Sequence, residues 1–466
     1  MKILFAISVI TLSITSCTKE PQSASVKMEA RFRMGTYCIR YSPNDSIQYL
    51  DSTILFVNES DSDKTITFRW DFGDNTSSTA SNPFHSYNKP GIYPITLYTF
   101  SNGQPSDTLT RNLRIVVGQK EFRSPLNNAH CIDLEEGPEK GVVLVDYDYD
   151  YTYYPANIFI TGTDSLLGQK WSKTLGPGTR ISSIKKTGTT GYILSGNYLA
   201  GKTDSFCISK INAGGDLVWQ KYLSVAGTNN YTLVTSAGEL VTIGTSNGVN
   251  RHTVVVKCDA SGNELWRRSF DGTVNSQTTR SPNNIIETAS GFLIASLTFT
   301  DQIVLTKLDA AGNIVNQTNT ATGYIGTIFE AGVASTPNNI LVFATNTRYV
   351  FTYNSSLGFI DSRNVTETGI NCGISGNNHF YIAEGNHQYA HVQELSADGQ
   401  LGWSVGIGNT LGNACGSQMS GATRYCKKIV YTGSGDILAF SEGENDPNMR
   451  GWSVYLTRYG SDGKMK

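Results

Sequence analysis

The sequence predicts an all-β protein, a small β-sandwich followed by a β-propeller of seven four-stranded blades. Three observations lead there. Turns bearing glycine recur from residue 129 to the end of the chain. Short apolar runs, alternating or continuous, fill the intervals between them. No window sustains the i, i+3, i+4 apolar spacing of a helix. Composition agrees: charged residues make up 16% of the chain, whereas glycine and tyrosine are plentiful at 46 and 24. That balance suits turns and strands.

A chain of 466 residues has room for two or three domains and a sizeable core. Its formal net charge of −2 sets up no field that would recruit nucleic acid. The first residues, MKILFAISVITLSITSC, read as a signal peptide over 1–16. Its apolar stretch, Ile3 to Leu12, is too short for a stable membrane span. Ile14-Thr15-Ser16-Cys17 resembles a bacterial lipobox, which implies cleavage before Cys17 and lipidation of Cys17. Residues 17–27 are then a lipidated linker. The following TKEP resembles the short charged signal that sends Bacteroidetes lipoproteins to the cell surface, although Glu20 is its one acidic residue. The resemblance implies an outer-membrane protein, lipid-anchored and facing the exterior.

Cys38, Cys131, Cys207, Cys258, Cys372, Cys415 and Cys426 make an odd number beyond Cys17. With no CxxC, a zinc site is not expected. Cys415 and Cys426 are the candidate disulfide, since an exported protein permits one. The others read as small core residues.

Residues 28–118 form the first module. FRWDFGDNTSS (68–78) is followed by NPFHSYNKPGIYPITLYTF (82–100). Trp70 and Phe72 alternate inward, and Gly73-Asp74 and Pro90-Gly91 make turns. Trp70, Asp71, Phe72, Gly73, Asp74, Pro83, His85, Tyr87, Pro90, Gly91 and Tyr93 resemble the PKD domain, an immunoglobulin-like β-sandwich. Asn75 stands where that family has glycine, and asparagine tolerates the same backbone. Pro94 inside a strand predicts an edge or a bulge. Asp71, Asp74 and His85 are assigned to turn capping and packing.

The repeats fill 119–466. The turn glycines are Gly168, Gly215, Gly262, Gly312, Gly358, Gly399 and Gly463, at spacings of 47, 47, 50, 46, 41 and 64. Four strands in each interval of this length describe a propeller blade. Second strands such as VVLV and FLIAS are apolar at consecutive positions, as burial between neighbouring blades requires. The repeats resemble the broad quinoprotein-like and WD-like propeller families without a catalytic signature of either. After Gly463 only KMK remains, so the last blade lacks an outer strand. Residues 119–123 are expected to supply it by pairing with 456–463, closing the ring.

Label the strands A to D from the axis outward. Consecutive strands are antiparallel, so B–C and D–A connections share one end of the ring. A–B and C–D turns share the other. The sandwich enters at the start of a D strand, on the C–D side, which turns the B–C/D–A end away from the membrane. The run VDYDYDYTYYPA (145–156) falls at the B–C hairpin of blade one. There alternation places Asp146, Asp148 and Asp150 on one face and Tyr147, Tyr149 and Tyr151 on the other. The 405–426 connection and the 442–452 hairpin, also enlarged, belong to the same end. Blades seven and one adjoin in a closed ring, so the three gather in one sector.

Two readings of this sector stay open: a binding site, or a twisted hairpin whose tyrosines cover their own scaffold. As a site it offers Tyr147, Tyr149, Tyr151, Tyr153, Tyr154, Arg450 and Trp452 to a sugar ring or a protein. Asp146, Asp148 and Asp150 are candidate Ca²⁺ ligands, although they lack the looped spacing of calcium motifs. No other cofactor is expected. His379, His387 and His391 around the blade-six B–C hairpin read as chance spacing. No G-x-S-x-G, H-E-x-x-H, P-loop or dinucleotide signature occurs. The leading expectation is a non-catalytic, lipid-anchored binding protein for a glycan or protein partner, with the role of an accessory subunit of an outer-membrane uptake or secretion complex open to it. The alternative is a propeller enzyme: a polysaccharide lyase, a hydrolase or a quinoprotein. Replacing Cys17 with alanine should move the protein from the membrane pellet to the soluble fraction on ultracentrifugation. Retention in the pellet would require another anchor.

Overall fold

A computed structural model describes residues 29–36, 47–49, 53–60, 66–116, 120–123, 129–148, 158–166, 168–175, 179–198, 205–248, 251–274, 284–298, 302–321, 331–336, 339–344, 347–365, 370–376, 378–385, 390–407, 424–446 and 449–463. The first module contains β1 (Phe32–Thr36), β2 (Ile47–Tyr49), β3 (Ile54–Asn58) and β4 (Ile66–Asp71). It continues with β5 (Ser77–Ser78), β6 (Phe84–His85), β7 (Gly91–Ser101) and β8 (Gln104–Val116). Two sheets, β1-β3-β6 and β2-β8-β7-β4-β5, enclose a core of Phe32, Phe56, Trp70, Phe72, Ile95 and Leu113. Trp70 meets Phe32 edge-on at 5.2 Å, and its indole N–H donates to Ala80 O at 3.1 Å.

The turn after β4 has the chemistry its residues imply. Gly73 and Asn75 adopt φ of 72° and 70°. A Cβ on Gly73 would stand 2.7 Å from Pro94 Cδ, so the close approach also demands glycine. Asp71 accepts the Gly73 N–H at 2.9 Å, and Asp74 accepts the Thr76 N–H at 3.1 Å. His85 pairs with Asp74 at 2.7 Å and stacks on Phe72 at 4.2 Å. Pairing of β4 with β7 ends at Asp71↔Thr96, so Pro94 has a ladder partner only on β8. The missing N–H of Pro94 thus falls at an edge position.

Seven four-stranded antiparallel sheets follow, with the first strand of each nearest the axis. The fourth strand of the last sheet comes first in the chain, as β9 (Lys120–Arg123). Blade one contains β10 (Ala129–Glu136), β11 (Val142–Asp148), β12 (Ile158–Thr163) and β13 (Gln169–Leu175). Blade two contains β14 (Thr179–Thr187), β15 (Gly191–Tyr198), β16 (Ser205–Asn212) and the first half of β17 (Leu217–Val234). The second half of β17 begins blade three, followed by β18 (Leu240–Ser246), β19 (His252–Cys258) and β20 (Glu264–Asp271). Separate D and A strands were expected here. Instead one continuous strand crosses from rim to axis, pairing with β16 to Ala226 and with β18 from Gly227.

Blade four contains β21 (Ile285–Thr288), β22 (Gly291–Leu297), β23 (Ile303–Asp309) and β24 (Ile314–Thr320). Blade five contains β25 (Ala331–Ser335), β26 (Asn339–Ala344), β27 (Tyr349–Asn354) and β28 (Phe359–Asn364). Blade six contains β29 (Ile370–Gly376), β30 (His379–Gly385), β31 (Ala390–Leu395) and β32 (Leu401–Ile407). Blade seven contains β33 (Arg424–Tyr431), β34 (Ile437–Asp446), β35 (Met449–Tyr459) and β9.

An open row of seven sheets would have six seams, and this molecule has seven. Val145 and Ile160 meet Ile184 and Leu194 between blades one and two. Phe206 meets Val254, and Ile243 meets Ile294, at the next two seams. Leu305 meets Val342, Phe343 meets Phe380, and Tyr381 meets Ile429 at the three after those. Leu438 and Phe440 of blade seven then pack on Leu134 and Leu144 of blade one. The ring is closed. Its closing strand sits opposite 453–456 of β35, from Lys120↔Leu456 to Arg123↔Ser453, and so meets the expected 456–463 segment only at Leu456. A strand from elsewhere in the chain is not tied to the C–D turn, so its register is free to shift inward.

A repeated contact accounts for four of the seven turn glycines. Each of Gly215, Gly262, Gly312 and Gly463 has φ between 72° and 84°. Added Cβ atoms there would stand 2.4, 3.0, 2.9 and 2.7 Å from Trp171, Trp219, Trp266 and Trp403. Each tryptophan lies on the outer strand of the preceding blade and covers the next blade's C–D turn. Trp266 and Trp403 also donate to Ala310 O and Ser461 O, both at 3.2 Å. Asn316 takes the same place in blade four, donating to Ser356 O at 2.9 Å. In blade five the left-handed position falls one residue early, on Leu357 at φ 66°. Deleting residues 120–123 should lower the melting temperature of the whole ring in one calorimetric transition, because an unpaired β35 opens the 7–1 seam. Loss of blade seven alone, with the rest melting unchanged, would contradict a mechanically closed ring.

Candidate functional site

The enlarged connections open at one end of the ring. β11 ends at Asp148, opposite Ala129, where blade one begins. β12 resumes at Ile158, so Tyr149, Asp150, Tyr151, Tyr153 and Tyr154 lie outside the described residues. The backbone of Asp146, Tyr147 and Asp148 lies on β11. In blade seven, the β34–β35 hairpin pairs as far as Asp446↔Met449 and carries Arg450 and Trp452 on its ascending arm. β32 leaves at Ile407 and β33 enters at Arg424, so most of the long connection, including Cys415, lies outside the described residues. Cys426 sits inside β33 opposite Ser441. Strand alternation sends these three openings to the B–C/D–A end, and the 7–1 seam makes their blades neighbours.

Blade two adds described side chains to this end. Tyr198, the last residue of β15, and Tyr222 have ring centroids 4.5 Å apart, inclined at 47°. The Tyr222 hydroxyl donates to Gln220 Oε1 at 3.2 Å. The Gln220 amide donates to Thr179 Oγ1 and Cys207 Sγ, both at 3.3 Å.

Sequence reasoning missed a buried ionic chain on the innermost strands. Lys428 of blade seven pairs with Asp133 of blade one, with side chains 5% and 0% exposed. Asp133 also accepts the Ile184 N–H of blade two at 2.9 Å. Glu135 pairs with Lys185 at 3.4 Å, and Lys185 lies 5.2 Å from the Tyr231 ring centroid in blade three. Four consecutive blades are joined. Burial would push the Glu135 carboxyl up, but the ammoniums of Lys185 and Lys428 hold it below the usual range. Burial pushes the Lys428 ammonium down, against the attraction of Asp133. The signal was present in IDLEE, SSIKK and CKKIV, where charges interrupt strands that should line a dry ring.

At the opposite end, between the A–B turns of blades one and two, a cleft of about 320 Å³ is lined by Glu136, Pro138, Glu139, Lys140, Lys186 and Tyr192. Glu136 accepts from Lys186 and from Gly433 N–H, both at 3.2 Å. His379 pairs with Glu394 at 2.7 Å, and His391 lies on β31. His387 lies outside the described residues. Among the described residues no three His, Cys, Asp or Glu side chains gather as a metal site. Cys207, Cys258 and Cys372 are buried thiols outside any disulfide, and burial pushes the first two up in pKa, Cys258 to about 12.

Together the two sheets and the seven seams define an all-β protein with an immunoglobulin-like sandwich and a seven-bladed propeller. Residues 42–117 match the PKD domain family. A protein of unknown function from Bacteroides caccae is similar at 16% identity, over 57% of this chain and 93% of its own, with a TM-score of 0.38. The PKD1 domain of the Vibrio cholerae metalloprotease PrtV is similar at 29% identity, over 19% of this chain and 98% of its own, with a TM-score of 0.16. No curated protein matches the chain.

Asp133→Asn removes the carboxylate paired with Lys428, leaving Glu135 as a nearby buried anion, and should cost about 3–5 kcal/mol in chemical denaturation. Asp133→Leu combined with Lys428→Met should cost far less. Glu135 gives a pH test. Its depressed pKa contributes stability above the unfolded value of about 4.3, lost as pH falls through the folded value. Lys185→Met should therefore shift acid unfolding to higher pH.

Proposed function

We propose that this is a non-catalytic, lipid-anchored protein of the outer-membrane surface whose ring holds a glycan or a protein partner, as an accessory subunit of an uptake or secretion complex. The observation that carries this reading is that the strand ends flanking three enlarged connections lie at one end of adjacent blades. Loops on a rigid scaffold are where binding groups concentrate. The anchor rests on Cys17, and the strand order adds a direction. Lys120 enters blade seven opposite Leu456, on the C–D side, so the tethered end of the chain joins the ring away from the enlarged loops. A ligand then approaches from the open side. The composition of the loops fits the role, since tyrosine presents a flat apolar face with a polar tip.

The test is replacement of Tyr149, Tyr151 and Tyr153 with alanine. Affinity for the partner should fall by about 1–3 kcal/mol per ring engaged, with the melting temperature nearly unchanged. Unchanged binding with a large loss of stability would mean that the tyrosines cover their own scaffold.

A further inference from the structure

Exposed large apolar side chains on the described part of the ring sort by end. At the C–D end they are mainly aliphatic. Val218, Leu265, Val315 and Ile360 are the bulged second residues of their outer strands, more than half exposed. At the B–C/D–A end they are tyrosines, Tyr222 at 51% and Tyr349 at 36%. Tyr222 has a ring partner in Tyr198.

The position of that pair follows from its neighbours. On the outer strand of blade two, Trp219 and Lys221 lie against Gly262 of blade three, and Leu223 is in the core between those blades. On β15, Asn197 donates to Gly227 O, also of blade three. Alternation turns Tyr222 and Tyr198 the other way, toward blade one. They stand on the flank facing the blade whose B–C hairpin carries the tyrosine run. The pair is held in place. Gln220 accepts from the Tyr222 hydroxyl while its amide is engaged by Thr179 and Cys207. A platform fixed before binding loses little side-chain entropy when a ligand arrives.

Resting on the proposed binding role of this end, we infer that Tyr198 and Tyr222 form an aromatic platform for a pyranose ring of a glycan. The C–H face of a pyranose is apolar and weakly positive, and the face of a phenol ring is electron-rich. The sugar's hydroxyls project at its rim, where the phenol oxygens and the second lone pair of Gln220 Oε1 can accept from them. A protein partner would need about 800 Å² on this side with an apolar centre. Two inclined rings set among Gln220, Thr179 and Ser205 match one or two sugars instead.

The test is isothermal titration of the purified full chain with mannohexaose, cellohexaose, maltohexaose and trigalacturonic acid. At least one should bind. Tyr222→Ala and Tyr198→Ala should each weaken it about tenfold or more, while Tyr222→Phe, which keeps the ring, should stay within threefold. Thermal melts separate these effects from misfolding, and Tyr222→Phe keeps the test valid if the alanine variants unfold. If none of the four binds, the inference is overturned. Sugar binding that survives Tyr222→Ala but is lost on Tyr149→Ala overturns the platform and leaves the binding role of the end intact.

Discussion

The ring depends on four residues that arrive before it. Lys120–Arg123 pairs with Ser453–Leu456, so the last blade is completed by the first segment after the sandwich. Without that pairing, β35 would present an open edge, and the 7–1 seam would be held by side chains alone. A closed ring removes both problems. It also makes each blade's burial conditional on all the others, since no seam is terminal. The pairing takes the sandwich into account as well, because β8 leads toward β9 through a short connection and the sandwich cannot separate far from blade seven.

Within the ring, one contact is used repeatedly. A β-bulge at the second residue of the outer strand skips one side chain outward and re-aims the next. The re-aimed residue is Trp171, Trp219 or Trp266, and it covers the following blade's turn. The turn must be glycine for two reasons at once: its φ is positive, and the indole leaves no room for Cβ. The bulge, the tryptophan and the glycine are therefore one device spread over two blades. Its by-product is an exposed side chain at each bulge, Lys170, Val218 or Leu265.

The ionic chain at the axis acts differently. A buried pair such as Lys428–Asp133 adds little net stability relative to apolar replacements, but half of it is strongly destabilising. Seven similar blades create many near-equivalent packings. Lys428 meets an anion only when blade seven lies beside blade one, and Glu135 meets Lys185 only when blade two follows. Charges on the innermost strands thus make the order of the seams matter where the apolar cores are interchangeable.

Much of this was legible along the chain because it is local. Period-two alternation, turn glycines and the WDFGDN turn are short-range patterns, and they specified strands, blades and the sandwich with little error. The orphaned last blade was also legible, since a missing outer strand is a matter of counting. What could not be read is what depends on which blade stands next to which. Trp219 gives no sign along the chain that its partner is Gly262 and not a residue of its own blade. The strand charges IDLEE and SSIKK look like exposure until neighbouring strands pair them in the interior. The register of β9, the continuous run of β17 across two blades and the Tyr198–Tyr222 pair are likewise products of assembly. Local sequence determined the repeating unit because dihedral preference and alternation act over a few residues. Tertiary structure alone decided the contacts between units, because side chains distant along the chain become neighbours only once the ring has closed.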